Sequence, residues 1–257
     1  MATQIRLEIR EKVAYINIFE EIERHPCTLD WESLKMLDEA IEQIAARKEL
    51  RAAVVQSLSP KSFVVGANIN ALKELDAENI ADWVRNGHQI FGKLQRLPIP
   101  VIARVEHYAL GGGLELAMAC DLIVASTQAR FAQPEASLGV MPGWGGSYKL
   151  ANLIGPARAK EMFFTGAQID AQQAYEWGLV NHVCAPEQLD EVIDGILAGI
   201  IGNDARVLHL TKEIVNSHCL SQLDRSEYEE ANTSSACMSS ESTKNRLSAF
   251  FNNRKKK

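Results

Sequence analysis

Two carboxylates stand beside glycine-rich segments, a setting suited to acid and base chemistry. Glu115 lies in Ala109-Leu-Gly-Gly-Gly-Leu-Glu-Leu-Ala-Met-Ala-Cys-Asp121. Glu135 lies in Phe131-Ala-Gln-Pro-Glu-Ala-Ser-Leu-Gly-Val-Met-Pro-Gly-Trp-Gly-Gly146. Three consecutive glycines between a strand and a helix let the backbone approach a ligand closely and leave N–H groups free at a helix N-terminus, where negative charge is favoured. Those N–H groups can hold a carbonyl oxygen on which charge develops. Alone the triple glycine is not diagnostic: it is no G-x-G-x-x-G, and no P-loop lysine follows.

Glu115 falls in the first turn of that helix, where a carboxylate complements the dipole. Flanked by Leu114, Leu116, Ala117 and Met118, it also reads as a partly buried acid or base whose pKa desolvation raises. Glu135, among small and apolar residues, reads as an incidental charge on a surface turn or as the second member of an acid–base pair working on one substrate.

The surrounding elements follow from periodicity. Val13–Ile18, Ala52–Gln56, the start of Ser62–Ala67, Pro98–Val105 and Asp121–Ser126 are short apolar runs that predict strands. Leu34, Leu37, Ile41 and Ile44 mark one face of a helix, and Leu114–Cys120 is helix-like. Strands alternating with helices point to an α/β sheet built by crossovers. Strand signals fade from Ala157, and Leu189–Ile201, Arg206–Ser217 and Ser242–Phe251 predict a helical C-terminal part whose apolar faces require cover from the core or another subunit.

The 257 residues, 46% hydrophobic and 23% charged, suffice for a sizeable core. A formal charge of −6 argues against nucleic acid as the main partner. Five scattered cysteines (Cys27, Cys120, Cys184, Cys219, Cys237), with no C-x-x-C, read as reduced thiols in a cytosol-like compartment rather than as disulfides or a zinc site. No signal peptide or membrane span is expected, and Arg254–Lys257 reads as a solvated charge run. The histidines form no H-E-x-x-H, so no metal is expected. His107 reads as structural or exposed, and Met118, Met141 and Met162 as core.

Taken in order, Ser62-Phe-Val-Val-Gly-Ala-Asn68, Pro100-Val-Ile-Ala, the Ala109–Ala117 segment, Gln133-Pro-Glu135, Gly139-x-x-Pro-Gly-Trp-Gly-Gly146 and Ala174-x-x-x-Gly-Leu-Val180 resemble the motifs of the crotonase superfamily, specifically the enoyl-CoA hydratase/isomerase family. The likeness runs from about Leu7 to Phe251. It implies an α/β, crotonase-like fold: repeated ββα units form two roughly perpendicular sheets, followed by a C-terminal helical trimerisation region. Residues 1–190 would be the core that binds and transforms the CoA thioester. Residues 191–257 would serve oligomerisation and cover the active site.

The resemblance further implies reversible hydration of trans-2-enoyl-CoA to 3-hydroxyacyl-CoA, in fatty-acid or related acyl-CoA metabolism. Ala67 and Gly112 N–H groups would form the oxyanion hole, Glu115 would activate water, Glu135 would be the acid, and the Gly143 backbone would help place the water. Val65, Gly66, Ala67, Asn68, Ile69, Gly111, Gly143 and Trp144 would contact substrate, Val65 and Ala67 along the path of the CoA adenine. No cofactor beyond the substrate's own coenzyme A is implied; the assembly would be a homotrimer or homohexamer in the cytoplasm.

Several positions depart from the family pattern: the Phe19–Asp30 segment, Asn68, Arg104 and His107. A bulky Trp144 beside the water site predicts short acyl chains. The alternative readings are an enoyl-CoA isomerase or another CoA-thioester enzyme of the same fold, and a catalytically silent binding or assembly subunit; the presence of both glutamates favours hydration.

Overall fold

The computed structural model describes residues 3–22, 25–219 and 223–254. The Lys255–Lys257 end of the charge run, the Cys219 side chain and two residues of the altered Phe19–Asp30 segment lie outside the described residues. The chain opens with an antiparallel hairpin of β1 (Gln4–Arg10) and β2 (Val13–Phe19), then α1 (Trp31–Ala45). An Asp30–Ser33 capping box starts α1: Asp30 Oδ1 accepts from Ser33 N at 2.9 Å and Asp30 N donates to Ser33 Oγ at 2.8 Å.

A pattern then repeats three times, in which one strand joins a large sheet, the next joins a small one, and a helical segment follows. The first unit is β3 (Ala52–Ser57), β4 (Ser62–Val64), α2 (Ile69–Lys73) and α3 (Ile80–Gln95). The second is β5 (Val101–Val105), β6 (Tyr108–Leu110) and α4 (Gly112–Ala117). The third is β7 (Leu122–Ser126), β8 (Arg130–Ala132), a 3-10 turn at Glu135–Leu138, α5 (Gly146–Ile154) and α6 (Pro156–Thr165). β9 (Ile169–Asp170) then joins the small sheet, and β10 (His182–Cys184), after α7 (Ala171–Glu176), joins the large one.

The large sheet runs β1-β2-β3-β5-β7-β10 and the small one β4-β6-β8-β9. Pairing is parallel except for β1–β2 and β8–β9. Interior parallel strands are apolar on both faces, and the two faces separate with period 2. Ala53, Val55, Ala103, Ile123 and Ala125 enter the main core. Ala52, Val54, Ile102 and Val124 face Leu189, Ile193 and Leu197 of α8 (Leu189–Gly202).

Strand signals fade from Ala157, yet two strands follow: β9 and β10, two and three residues long, are too short to carry a periodic signal. α9 (Ala205–Cys219) leaves Val207, Leu210, Ile214 and Val215 exposed. α10 (Leu223–Ser239) packs along α3, and α11 (Glu241–Arg254) packs on α10 and on the 3-10 turn. α10 escaped sequence reading because its buried positions are Ser226, Glu230, Ala231, Ser234 and Met238, mostly polar or small.

Candidate active site

The small sheet positions the site. β4, β6 and β8 are parallel neighbours, so their carboxyl ends lie side by side, where ligands of open α/β sheets bind. Each strand leads into a segment singled out by sequence: Val65–Ile69, Gly111–Gly112 and Gln133–Glu135. Close approach demands glycine here. Gly111 has φ +53°, and a Cβ on it would stand 2.7 Å from Glu135 Oε1. A Cβ on Gly113 would lie 1.9 Å from Val64 O, inside the backbone of the neighbouring strand.

The two N–H groups of the expected oxyanion hole are turned outward for separate reasons. Gly66 O accepts from Leu29 N at 2.9 Å and Asn68 N donates to Leu29 O at 2.6 Å. In that extended bridge the intervening Ala67 N–H points away from Leu29. Gly112 is the first residue of α4, where the N–H has no partner within the helix. The turns approach one another: a Cβ on Gly66 would be 3.8 Å from Gly112 N.

Glu115 is 2% exposed, and its Oε1 accepts both Trp144 N at 2.7 Å and Gly146 N at 2.8 Å. Burial pushes its carboxyl well above the usual range. The charges of Glu230 and then Glu135 push it further, and the two N–H bonds pull it back. Glu135 is half-buried at the start of the 3-10 turn. With its amide turned so that Nε2 faces the carboxylate, Gln133 donates to Glu135 Oε1 at 2.9 Å and Oε2 at 3.0 Å. Desolvation pushes the Glu135 carboxyl up to about 8. α11 supports this turn through Thr243 Oγ1, which donates to Gly139 O at 2.6 Å.

A cavity of about 300 Å3 joins these groups. Val65, Gly66, Ala67, Ile69, Gly111, Gly112, Glu115, Glu135, Gly143 and Trp144 line it, together with Ser234, Met238 and Leu247 from α10 and α11. Asn68 is not in the lining. It caps α2 by accepting from Asn70 N at 2.9 Å and donates to Thr28 Oγ1 at 3.0 Å. Met118 and Met162 are core as expected, but Met141 lines the cavity, a correction to its reading as core. Arg104 joins Glu106 at 2.9 Å and Asp190 at 3.0 Å, and His107 lies 3.8 Å from Glu106; neither lines this cavity.

Trp144 is wedged against glycine on two sides: a Cβ on Gly87 would be 2.1 Å, and on Gly112 2.5 Å, from its ring. Its Nε1 donates to Trp83 O at 3.3 Å, and its ring lies 5.1 Å from Trp83 and 5.4 Å from Phe91. Sequence reading placed Gln133 in a motif without giving it a role, and it missed Trp83, His88, Lys149 and Glu230. Trp83 was within reach, since Ile80, Trp83, Val84 and Phe91 form a helical apolar stripe. The polar residues give no such signal, because their burial depends on contacts across the fold. Lys149 is 5% exposed, and desolvation brings its amine down to about 8.

Residues 8–257 match the family described as Enoyl-CoA hydratase/isomerase. The chain is 37% identical to a short-chain-enoyl-CoA hydratase of Clostridium acetobutylicum, covering 88% of this chain and 87% of that protein. It is 33% identical to a crotonyl-CoA hydratase of Syntrophomonas wolfei, covering 98% and 96%. The crystal structure of an enoyl-CoA hydratase from Bacillus anthracis superposes with TM-score 0.78 at 31% identity, covering 88% and 90%. The chain belongs to the enoyl-CoA hydratase/isomerase family and has the crotonase fold.

Proposed function

We propose that this protein hydrates short trans-2-enoyl-CoA thioesters, with Glu115 as base, Glu135 as acid and the Ala67 and Gly112 N–H groups on the thioester oxygen. That the chain is an enoyl-CoA hydratase rests on the family match and on two relatives similar over most of its length. The residue roles rest on one observation: two carboxylates with different support line one cavity beside two outward-turned backbone N–H groups. Both N–H bonds to Glu115 fall on Oε1, which leaves Oε2 to take a proton from water.

Water oxygen forms a bond to the β-carbon while its proton passes to Glu115. The β-carbon to α-carbon π pair shifts toward the carbonyl oxygen, where two oriented donors are worth about 3 to 4 kcal/mol each. Glu135, neutral below about pH 8, gives its proton to the α-carbon. Proton exchange with solvent then resets the pair, and no cofactor is required.

The short acyl preference is supported by the Trp83 and Trp144 rings in the cavity wall, and by the likeness to a short-chain-enoyl-CoA hydratase and a crotonyl-CoA hydratase. The exposed α9 stripe supports a homotrimer or homohexamer. Residues 1–190 act as the catalytic core and 191–257 as cover and assembly region, in a cytoplasmic enzyme of fatty-acid β-oxidation or related acyl-CoA metabolism. Among the described residues no helix is long and apolar enough to cross a membrane.

The test is turnover of crotonyl-CoA, followed by loss of its enone absorbance and identification of the 3-hydroxy product. Unchanged absorbance would favour a silent binding subunit. Conversion of 3-enoyl-CoA to the 2-enoyl isomer without hydration would favour an isomerase. Light scattering at the 28.4 kDa monomer mass would refute the assembly.

A further inference from the structure

A second buried carboxylate meets the same turn that holds Glu115. Glu230, 1% exposed, reaches in from α10. Its Oε2 accepts from Gly145 N at 2.9 Å and lies 2.8 Å from His88 Nε2, on α3. Its Oε1 accepts from Ser147 N at 3.1 Å and from Ser147 Oγ. Four successive N–H groups at the start of α5 are thus divided alternately: those of Trp144 and Gly146 go to Glu115, those of Gly145 and Ser147 to Glu230. The 144–147 turn cannot shift toward one carboxylate without loosening its bonds to the other.

We propose that Glu230, partnered by His88, is a positioning residue for Glu115, acting through the 144–147 turn whose N–H groups the two carboxylates share. The inference rests on the reading of Glu115 as base. Glu230 accepts from Gly145 N, Ser147 N and Ser147 Oγ and meets the His88 ring nitrogen, so α10 fixes the turn that holds Glu115. The negative charge of Glu230 also favours the protonated form of Glu115. Other groups facing this cluster are Glu135 after β8, Tyr148 and Lys149 on α5, Arg96 after α3 and Cys120 after α4.

Glu230→Gln keeps the size but offers one acceptor oxygen where the carboxylate has two, and it removes the charge. Misplacement of a positioned group by about 1 Å costs ~10²-fold, so kcat should fall between about tenfold and a hundredfold, with KM for crotonyl-CoA little changed. The acidic limb of kcat/KM should move to lower pH, because removal of a neighbouring anion makes Glu115 easier to ionise; loosened packing alone would leave that limb in place. If Glu230→Gln fails to fold, the His88 pair carries the test. His88→Gln, retaining an N–H donor, should stay nearer wild type in kcat than His88→Leu.

Wild-type kcat and an unmoved acidic limb in Glu230→Gln would overturn the proposal, as would equal kcat in the two His88 variants. Should Glu115→Gln remain active, the reading of Glu115 as base fails instead. An inactive Glu115→Gln beside a fully active Glu230→Gln sinks the positioning role alone.

Discussion

Glu115 and Glu135 share a cavity but are held by different parts of the chain. Glu115 sits in the interior on α4, its carboxylate gripped by two backbone N–H groups of the 144–147 turn. Glu135 sits half-buried on a single 3-10 turn, met by one amide side chain, and its turn is tied to α11. Backbone donors suit a group that must carry negative charge. Burial raises both carboxyls, Glu115 well above the usual range and Glu135 to about 8, so the difference in donors rather than in desolvation underlies the proposed division into base and acid.

The largest effects should come from removing either carboxylate. Glu115→Gln and Glu135→Gln should each lower kcat for hydration by ~10²- to 10⁴-fold. The double variant should be only modestly worse than the poorer single one, since the two act as a unit. Additive losses in steady-state assays would mean that they serve separate steps.

The pH profile sharpens the contrast. As the proposed base, Glu115 must be deprotonated, so kcat/KM should rise with pH through its raised pKa, above the usual carboxylate range. As the proposed acid, Glu135 must be protonated, so kcat/KM should fall as pH passes about 8. In Glu135→Gln the residual activity should lack that alkaline fall.

Trp144 lies between the two regions, donating its backbone N–H to Glu115 and lining the cavity. Trp144→Ala should cost about 3 to 5 kcal/mol in stability, as large aromatic truncations in cores do, readable as a lowered urea midpoint. Among molecules still folded, the ratio of eight-carbon to four-carbon kcat/KM should rise. An unchanged ratio would place the chain-length limit elsewhere.

The smallest effect belongs to the outer support of Glu135. Thr243→Val removes the bond to Gly139 O at a cost of about 1 kcal/mol. A drop of a few fold in kcat, with the acidic limb unmoved, would show that Glu135 is perturbed independently of Glu115.

The large sheet was legible because β2, β3, β5 and β7 are runs of five or more residues with apolar side chains on both faces. The small sheet was not: β6 and β8 have three residues each inside glycine-rich or polar surroundings, and parallel pairing supplies order that no local pattern reveals. For the site the reverse held. The glutamates and glycines stood out by type and spacing, and the two carboxylates do line one cavity. Glu230 remained invisible because a lone acid on a helix without an apolar stripe reads as solvated, and His88 because a single histidine on an apolar stripe shows no partner in the sequence. Only the packing of α10 along α3 takes both out of water. Asn68 has a structural task that its motif position does not announce, since it caps α2.

One wall of the cavity, formed by Ser234, Met238 and Leu247, comes from α10 and α11, which follow both sheets in the chain. A variant truncated after Cys184 would keep every strand together with Glu115 and Glu135, yet it would lose that wall and the Glu230–His88 pair. The two glutamates and the enclosure around them are thus separable in sequence, so enclosure can be altered in α10 and α11 without touching a strand.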